Sequence, residues 1–148
     1  MDEQHRTVEL HNKLVLNFWE IAHTMRYISE GKGSQKRILM ILRETGQITQ
    51  SELTEKLGIQ PGSASEVLGK LKNAGLILRT PSQTDRRTAD ICLTASGKSA
   101  AEEAYGQRLQ RHRQMFSGLS DEEKDTLLYL LEKINGDWKQ KFQKQEVK

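Results

Sequence analysis

Apolar residues recur at steps of three and four from about residue 8 to 29, where Leu14, Phe18, Ile21, Met25 and Ile28 form a stripe that Val15, Trp19 and Ala22 broaden. This spacing predicts a helix, and an arc so wide predicts burial on more than one side. Glu30-Gly31-Lys32-Gly33 then breaks the pattern. Ser34 stands as the N-cap of a second helix carrying Ile38, Leu39, Ile41 and Leu42, and Gly46 suits the left-handed position that closes it. Thr49-Gln50-Ser51-Glu52 has capping-box spacing: the Thr49 hydroxyl can accept from the Glu52 amide while the Glu52 carboxylate accepts from the amide of Thr49. The third helix it opens is short and stops at Gly58. Only Ile59 and Gln60 separate that glycine from Pro61, whose fixed φ and missing N–H suit the first turn of a fourth helix. This one turns Ala64, Val67, Leu68 and Leu71 to one face and ends at Gly75. Two short helices joined across a tight glycine turn make a helix-turn-helix pattern.

Beyond Gly75 the period shortens. Leu76-Ile77-Leu78, a polar loop with Pro81, and then Ile91 and Leu93 alternating with Asp90 and Cys92 predict a two-stranded ribbon with a basic, polar tip, a wing. Thr94 can cap a long fifth helix that reaches Phe116, where Ser117-Gly118 breaks the chain. Ser120-Asp121-Glu122-Glu123 is a second capping box, its acids matched to the positive end of a helix. The last helix carries Leu127, Leu128, Leu131, Ile134, Trp138 and Phe142 on one side, and the tail after Lys144 is expected to fray. The fold class is therefore mostly α with a small β-wing: a winged helix-turn-helix over residues 34–98, flanked by helical regions at 1–33 and 99–148, within a single domain spanning 1–148.

With 148 residues the chain can bury about two-thirds of its unfolded surface, enough for a core of its own. Twenty-three basic against 20 acidic residues leave a charge of +3, which permits nucleic-acid binding without demanding it, so the placement of the cations decides. The amino-terminal MDEQHRTVEL lacks an apolar core of the kind a secretory signal needs, and the apolar run from Leu14 to Trp19 is interrupted by Asn17 and too short for a bilayer. A cytoplasmic protein without a membrane partner is the expectation. The single cysteine, Cys92, excludes an internal disulfide framework; it should face away from the core side of the wing, and neither sequence neighbour is Lys or Arg. His5, His11, His23 and His112 lack metal-binding spacing, so no metal or cofactor is expected. There is no G-x-S-x-G elbow and no phosphate-binding glycine loop, and capping accounts for the acids at 121–123, so the chain does not read as an enzyme.

With the apolar face of the fourth helix inward, Gly62, Ser63, Ser65, Glu66, Gly69, Lys70 and Asn73 turn outward. Small residues at the helix start let it approach base edges, hydroxyls and free amides there can hold phosphate, and Lys70 can add a phosphate contact. Gln60 stands at the turn just before it. On the wing, a guanidinium such as that of Arg86 or Arg87 suits the negative potential of a narrow A·T minor groove, and the carboxylate of Asp85 can preorganise it. A hairpin whose charges are merely solvated is the competing reading, and Lys72 and Arg79 can be either backbone contacts or ordinary surface.

The stretch DRRTADICLTASG, from Asp85 to Gly97, and LTEKLGIQPGSASEVLGKLKNAGLI at 53–77 together resemble the MarR family of winged-helix transcriptional regulators, in which D-R-R-x(5)-L-T-x-x-G runs down the wing into the next helix. The resemblance covers the central half of the chain through motifs and the ends by helix pattern alone. It implies a homodimer built from the terminal helices, reading half-sites about one DNA turn apart in a pseudopalindromic operator of double-stranded DNA. It further implies that Arg87 enters the minor groove while Asp85 holds it, and that a small aromatic or anionic effector releases a repressor. Two positions depart from the family pattern. Gln60 replaces a frequent Ser or Thr, and Glu66 stands where many relatives carry Arg; a carboxylate cannot grip guanine but can accept from a cytosine amino group.

Glu66 on the reading face also fits a winged-helix module that binds protein, and the histidines fit a metal-responsive regulator of the same fold. The terminal apolar stripes fit either a dimer or a three-helix packing within one chain, and Trp19, His23 and Tyr27, four apart, fit either an effector pocket or helix packing.

Overall fold

The computed structural model describes residues 2–31 and 33–143. Its elements run α1 (Glu3–Ile28), α2 (Gln35–Thr45), β1 (Gln47–Thr49), α3 (Gln50–Leu57), α4 (Pro61–Asn73), β2 (Ile77–Pro81), β3 (Ala89–Leu93), α5 (Ala95–Met115) and α6 (Asp121–Phe142). Two compact units divide the chain, one up to Tyr105 and one from Gly106. The expected fraying of the tail concerns residues outside those described.

The core of the first unit draws on seven elements. Ile38, Leu39 and Leu42 of α2 meet Ile48, Leu53, Leu57, Leu68, Leu71, Ile77, Ile91 and Ala101, all buried. Removing each such Leu or Ile from water contributes about 1.5–3 kcal/mol, so these positions hold the helix-turn-helix and the wing base as one body. Arg37 of α2 adds a polar tie, donating to the carbonyls of Lys56 and Leu57 at 3.4 Å each, where the last turn of α3 has no amides left to pair them. Arg43 joins α2 to α5 through Glu102, with Nε 2.7 Å from Oε1, and its guanidinium lies 3.9 Å over the Tyr105 ring. That hydrogen bond to Glu102 raises the Arg43 pKa above its ordinary value.

The sheet has three strands where a two-stranded ribbon was expected. β1 pairs antiparallel with β3, giving the order β1-β3-β2, with Ile48 opposite Ile91 and Arg79 opposite Ile91 on the other side. Three residues with one apolar side chain carry no readable period, and β1 exists because β3 offers it a ladder. Gly46 precedes it with φ 75° and ψ −75°, a positive φ as expected but not the left-handed helical conformation, and it turns the chain from α2 straight into the strand. Cys92 is half-buried beside fully buried Ile91, in keeping with its outward register.

α1 starts at Glu3, several residues before its apolar stripe, because a polar first turn leaves no hydrophobic period to detect. The expected burial of its wide arc does not occur within one chain: α1 buries no residue, and Trp19 and Tyr27 are 70% and 79% exposed. His23 meets Tyr27 edge-on, ring centroids 5.3 Å apart, on that open surface. In the second unit, α6 opens with the expected capping box at Ser120 and likewise buries no residue. Among the described residues no helix is long and apolar enough to cross a membrane, and no group of three His, Cys, Asp or Glu side chains gathers as metal ligands.

Candidate nucleic-acid interface

The α3-turn-α4 unit is held at both ends by local chemistry that its sequence specifies. The Glu52 amide donates to the Thr49 hydroxyl at 3.2 Å and the Thr49 amide to the Glu52 carboxylate at 3.4 Å, closing the box at the start of α3. Gly58 ends α3 in the left-handed conformation, φ 66° and ψ 35°, its N–H donating to the carbonyls of Thr54 and Glu55. Gln60 is extended at the α4 N-cap with no side-chain cap bond, and Pro61 opens the helix. Ala64, Leu68 and Leu71 are fully buried and Val67 packs against the core, so Gly62, Ser63, Ser65, Glu66 and Lys70 lie exposed along the opposite face. Gly69 is half-buried rather than fully outward.

Two contacts organise that face. Gln50 at the start of α3 donates from Nε2 to the Ser65 hydroxyl at 2.9 Å, fixing the crossing of the two helices and leaving the Ser65 proton free to donate. Glu66 and Lys70 form an i,i+4 pair at 3.7 Å, with 71% and 61% of their side chains exposed. Such a solvated pair contributes about 0–1 kcal/mol, too little to withhold either group from a partner.

The wing tip between β2 and β3 is a knot of hydrogen bonds around Ser82, which is buried at 5% exposure. The Ser82 hydroxyl accepts from the amides of Thr84 and Asp85, at 3.3 and 3.2 Å, and the Thr88 amide donates to the Asp85 carbonyl. Asp85 in turn accepts through Oδ1 from the Arg87 amide at 3.0 Å and from Arg87 Nε at 3.2 Å. These bonds from Arg87, the backbone one foremost, hold the Asp85 carboxyl below the ordinary carboxylate range. The Arg87 side chain is thus directed by Asp85 while remaining 91% exposed.

Between the helix-turn-helix and the wing lies a cleft of about 880 Å³, lined by Gln50, Ser51, Thr54, Glu55, Gly58, Ile59 and Pro61 on one side and by Arg79, Thr80, Pro81, Arg86, Arg87, Thr88 and Ala89 on the other, with Lys72. Four cations face one acid, an arrangement suited to phosphate. Of the residues singled out from sequence, Arg86 and Arg87 come into this cleft. Gly62, Ser63, Ser65, Glu66 and Lys70 form the adjacent exposed face of α4, and Asp85 acts from behind Arg87. Lys72 and Arg79, which by sequence fit either backbone contacts or ordinary surface, both line the cleft. Gln50, Ser51, Thr54 and Thr88 also line it; they carry no charge, and they fall at the unspecified positions of the capping box and the wing motif or outside any motif, so nothing in the sequence marks them for a ligand.

Comparison with known proteins agrees with this architecture. The sequence profile of the MarR family matches residues 33–89. An uncharacterized HTH-type transcriptional regulator of Bacillus subtilis, YwhA, is 34% identical over 97 residues, covering 66% of this chain and 70% of the relative. The multiple antibiotic resistance protein MarR of Salmonella typhimurium is 34% identical over 104 residues, covering 68% of this chain and 71% of its own. A mutant MarR from E. coli, solved in complex with operator DNA, shares the fold at a TM-score of 0.60 and 23% identity over 90% of this chain and 99% of that one. With the winged helix-turn-helix in place, a relative of this similarity named as an HTH-type transcriptional regulator and another named MarR itself, the chain belongs to the MarR family of transcriptional regulators.

Proposed function

We propose that this regulator is a cytoplasmic homodimer that occupies a pseudopalindromic operator in double-stranded DNA, represses by doing so, and is released by a small aromatic or anionic effector. The cleft in which Lys72, Arg79, Arg86 and Arg87 converge beside the exposed face of α4 carries the reading. Under it, α4 enters the major groove with Gly62, Ser63 and Ser65 near the bases and backbone, Gln60 at its entry and Lys70 on phosphate. Glu66 favours a cytosine amino group over guanine, so the operator should differ from those of Arg-bearing relatives. Arg87, directed by Asp85, takes the minor groove, and Arg86 the neighbouring backbone. Residues 34–98 form the reading region, and the helical regions at 1–33 and 99–148 pair the two copies. That E. coli MarR has been solved with operator DNA supports the reading by kinship.

The test is fluorescence anisotropy on duplexes from the protein's own upstream region across a salt series. Wild type should bind with log affinity falling, for each tenfold rise in salt, by about 0.9 for every phosphate neutralised, and Arg87→Ala should weaken binding roughly tenfold to a hundredfold. Binding with little salt dependence, or an Arg87→Ala variant indistinguishable from wild type, would favour the protein-interaction alternative that Glu66 raises.

A further inference from the structure

The antiparallel pairing of β1 with β3 runs through Gln47 opposite Cys92 and Ile48 opposite Ile91, and ends at Thr49 opposite Asp90. At Gln50 the chain turns helical, so no backbone ladder ties the wing to the body beyond that point. The same register continued two residues further puts Ser51 opposite Thr88. There the Thr88 Oγ1 accepts from the Ser51 amide at 3.3 Å and from the Ser51 hydroxyl at 3.1 Å. The Ser51 N–H lies in the first turn of α3 and has no carbonyl within its own helix, so a hydroxyl 37 residues away caps it. Both acceptor sites of the Thr88 oxygen are thereby used.

We infer that the Thr88 hydroxyl is a latch that fixes the angle of the wing against α3, so that Arg86 and Arg87 are offered to the duplex at one setting; this rests on the DNA-binding reading of the surface. Thr88 sits between the two parts that must agree. On one side its amide belongs to the knot that holds Asp85, and through it Arg87. On the other its oxygen holds α3, which Gln50 links to Ser65 on α4. Without it the tip hinges at Asp90, and the recognition helix and the wing arginines engage the DNA independently. Thr88 is a positioning residue: it sets where the cations stand and adds no charge.

Two variants of the full-length protein test this. Thr88→Val keeps the shape and the β-branch that suits the approach to β3 but removes the acceptor, while Thr88→Ser restores it. In the free protein, amide hydrogen exchange at Ser51 and at residues 86–89 should quicken about five- to tenfold in Thr88→Val and return toward wild type in Thr88→Ser. On duplex DNA, Thr88→Val should weaken binding by a similar factor and reduce the salt slope by about one ion, although no cation has been removed. On an Arg87→Ala background it should add little, because both changes disable the same contact. Unchanged exchange in Thr88→Val overturns the latch, as does an unaltered salt slope or full additivity with Arg87→Ala. A wild-type protein that binds no duplex sinks the functional reading instead, and the exchange result then decides the latch by itself.

Discussion

A Cβ at Gly97 would overlap the backbone carbonyl oxygen of Leu76 and press on the Leu93 side chain. The same carbonyl accepts from the Thr94 amide at 3.1 Å, while the Thr94 hydroxyl donates to the Gly75 carbonyl at 2.6 Å and accepts from the Gly97 amide at 3.0 Å. The L-T-x-x-G run is therefore a joint: it locks the start of α5 onto the turn leaving α4. Gly97→Ala should cost on the order of 3 kcal/mol in thermal or urea unfolding, because backbone cannot move aside cheaply. Gly69 makes the contrast, since a Cβ there meets nothing within 4 Å. Gly69→Ala should raise stability by about 0.5–1 kcal/mol through helix propensity. Equal effects at the two glycines would remove the close-approach argument. At this scale the Asp85–Arg87 contact was legible, because its partners are two residues apart. Ser51–Thr88 and Gln50–Ser65 were not, because partners 37 and 15 residues apart meet only after folding.

Element boundaries follow their caps. Ser34, Thr49 and Ser120 each accept from the amide three residues on, as their spacing predicted, and these short-range bonds need no tertiary partner. Ser120→Ala should lower stability by about 1 kcal/mol, seen as an earlier melting of α6. Glu123 closes the same box, and the Ser120 amide at 2.9 Å, with the Ser120 side chain, holds its carboxyl below the ordinary range. A depressed carboxyl contributes stability that is fully present above the ordinary Glu pKa of about 4.3 and is lost as pH falls through the folded value. Wild type should therefore exceed Glu123→Ala in stability at neutral pH, with the gap closing only below about pH 4. A gap that closes between pH 6 and 5 would show that another group titrates. β1 is the element the pattern did not announce, being decided by its neighbour strand rather than by its own three residues.

For the whole molecule the question is what covers the apolar stripes of the terminal helices. In α1, Val8, Leu14, Val15, Trp19 and Ile21 stand exposed, and in α6 Leu128, Leu131, Trp138 and Phe142 do the same. Exposed apolar side chains in this number, on each helix taken by itself, are what a partner buries, and a second copy of the chain is the proposed partner. Trp19→Glu should shift the protein toward a monomer in sedimentation at micromolar concentration and weaken operator binding, because two half-sites then bind without their link. A variant that sediments as wild type would place the contact elsewhere. The sequence alone determined the helix order, the capped ends and the tight turn into α4, since each follows from periods and bonds spanning a few residues, and the family resemblance added which arginine of the wing Asp85 holds. Only the tertiary structure decided that β1 joins the sheet, that Lys72 and Arg79 line the same cleft as Arg86 and Arg87, and that Thr88 reaches Ser51. Those depend on long-range packing of the Ile48–Ile91 core, and no local spacing encodes which distant surfaces that packing brings face to face.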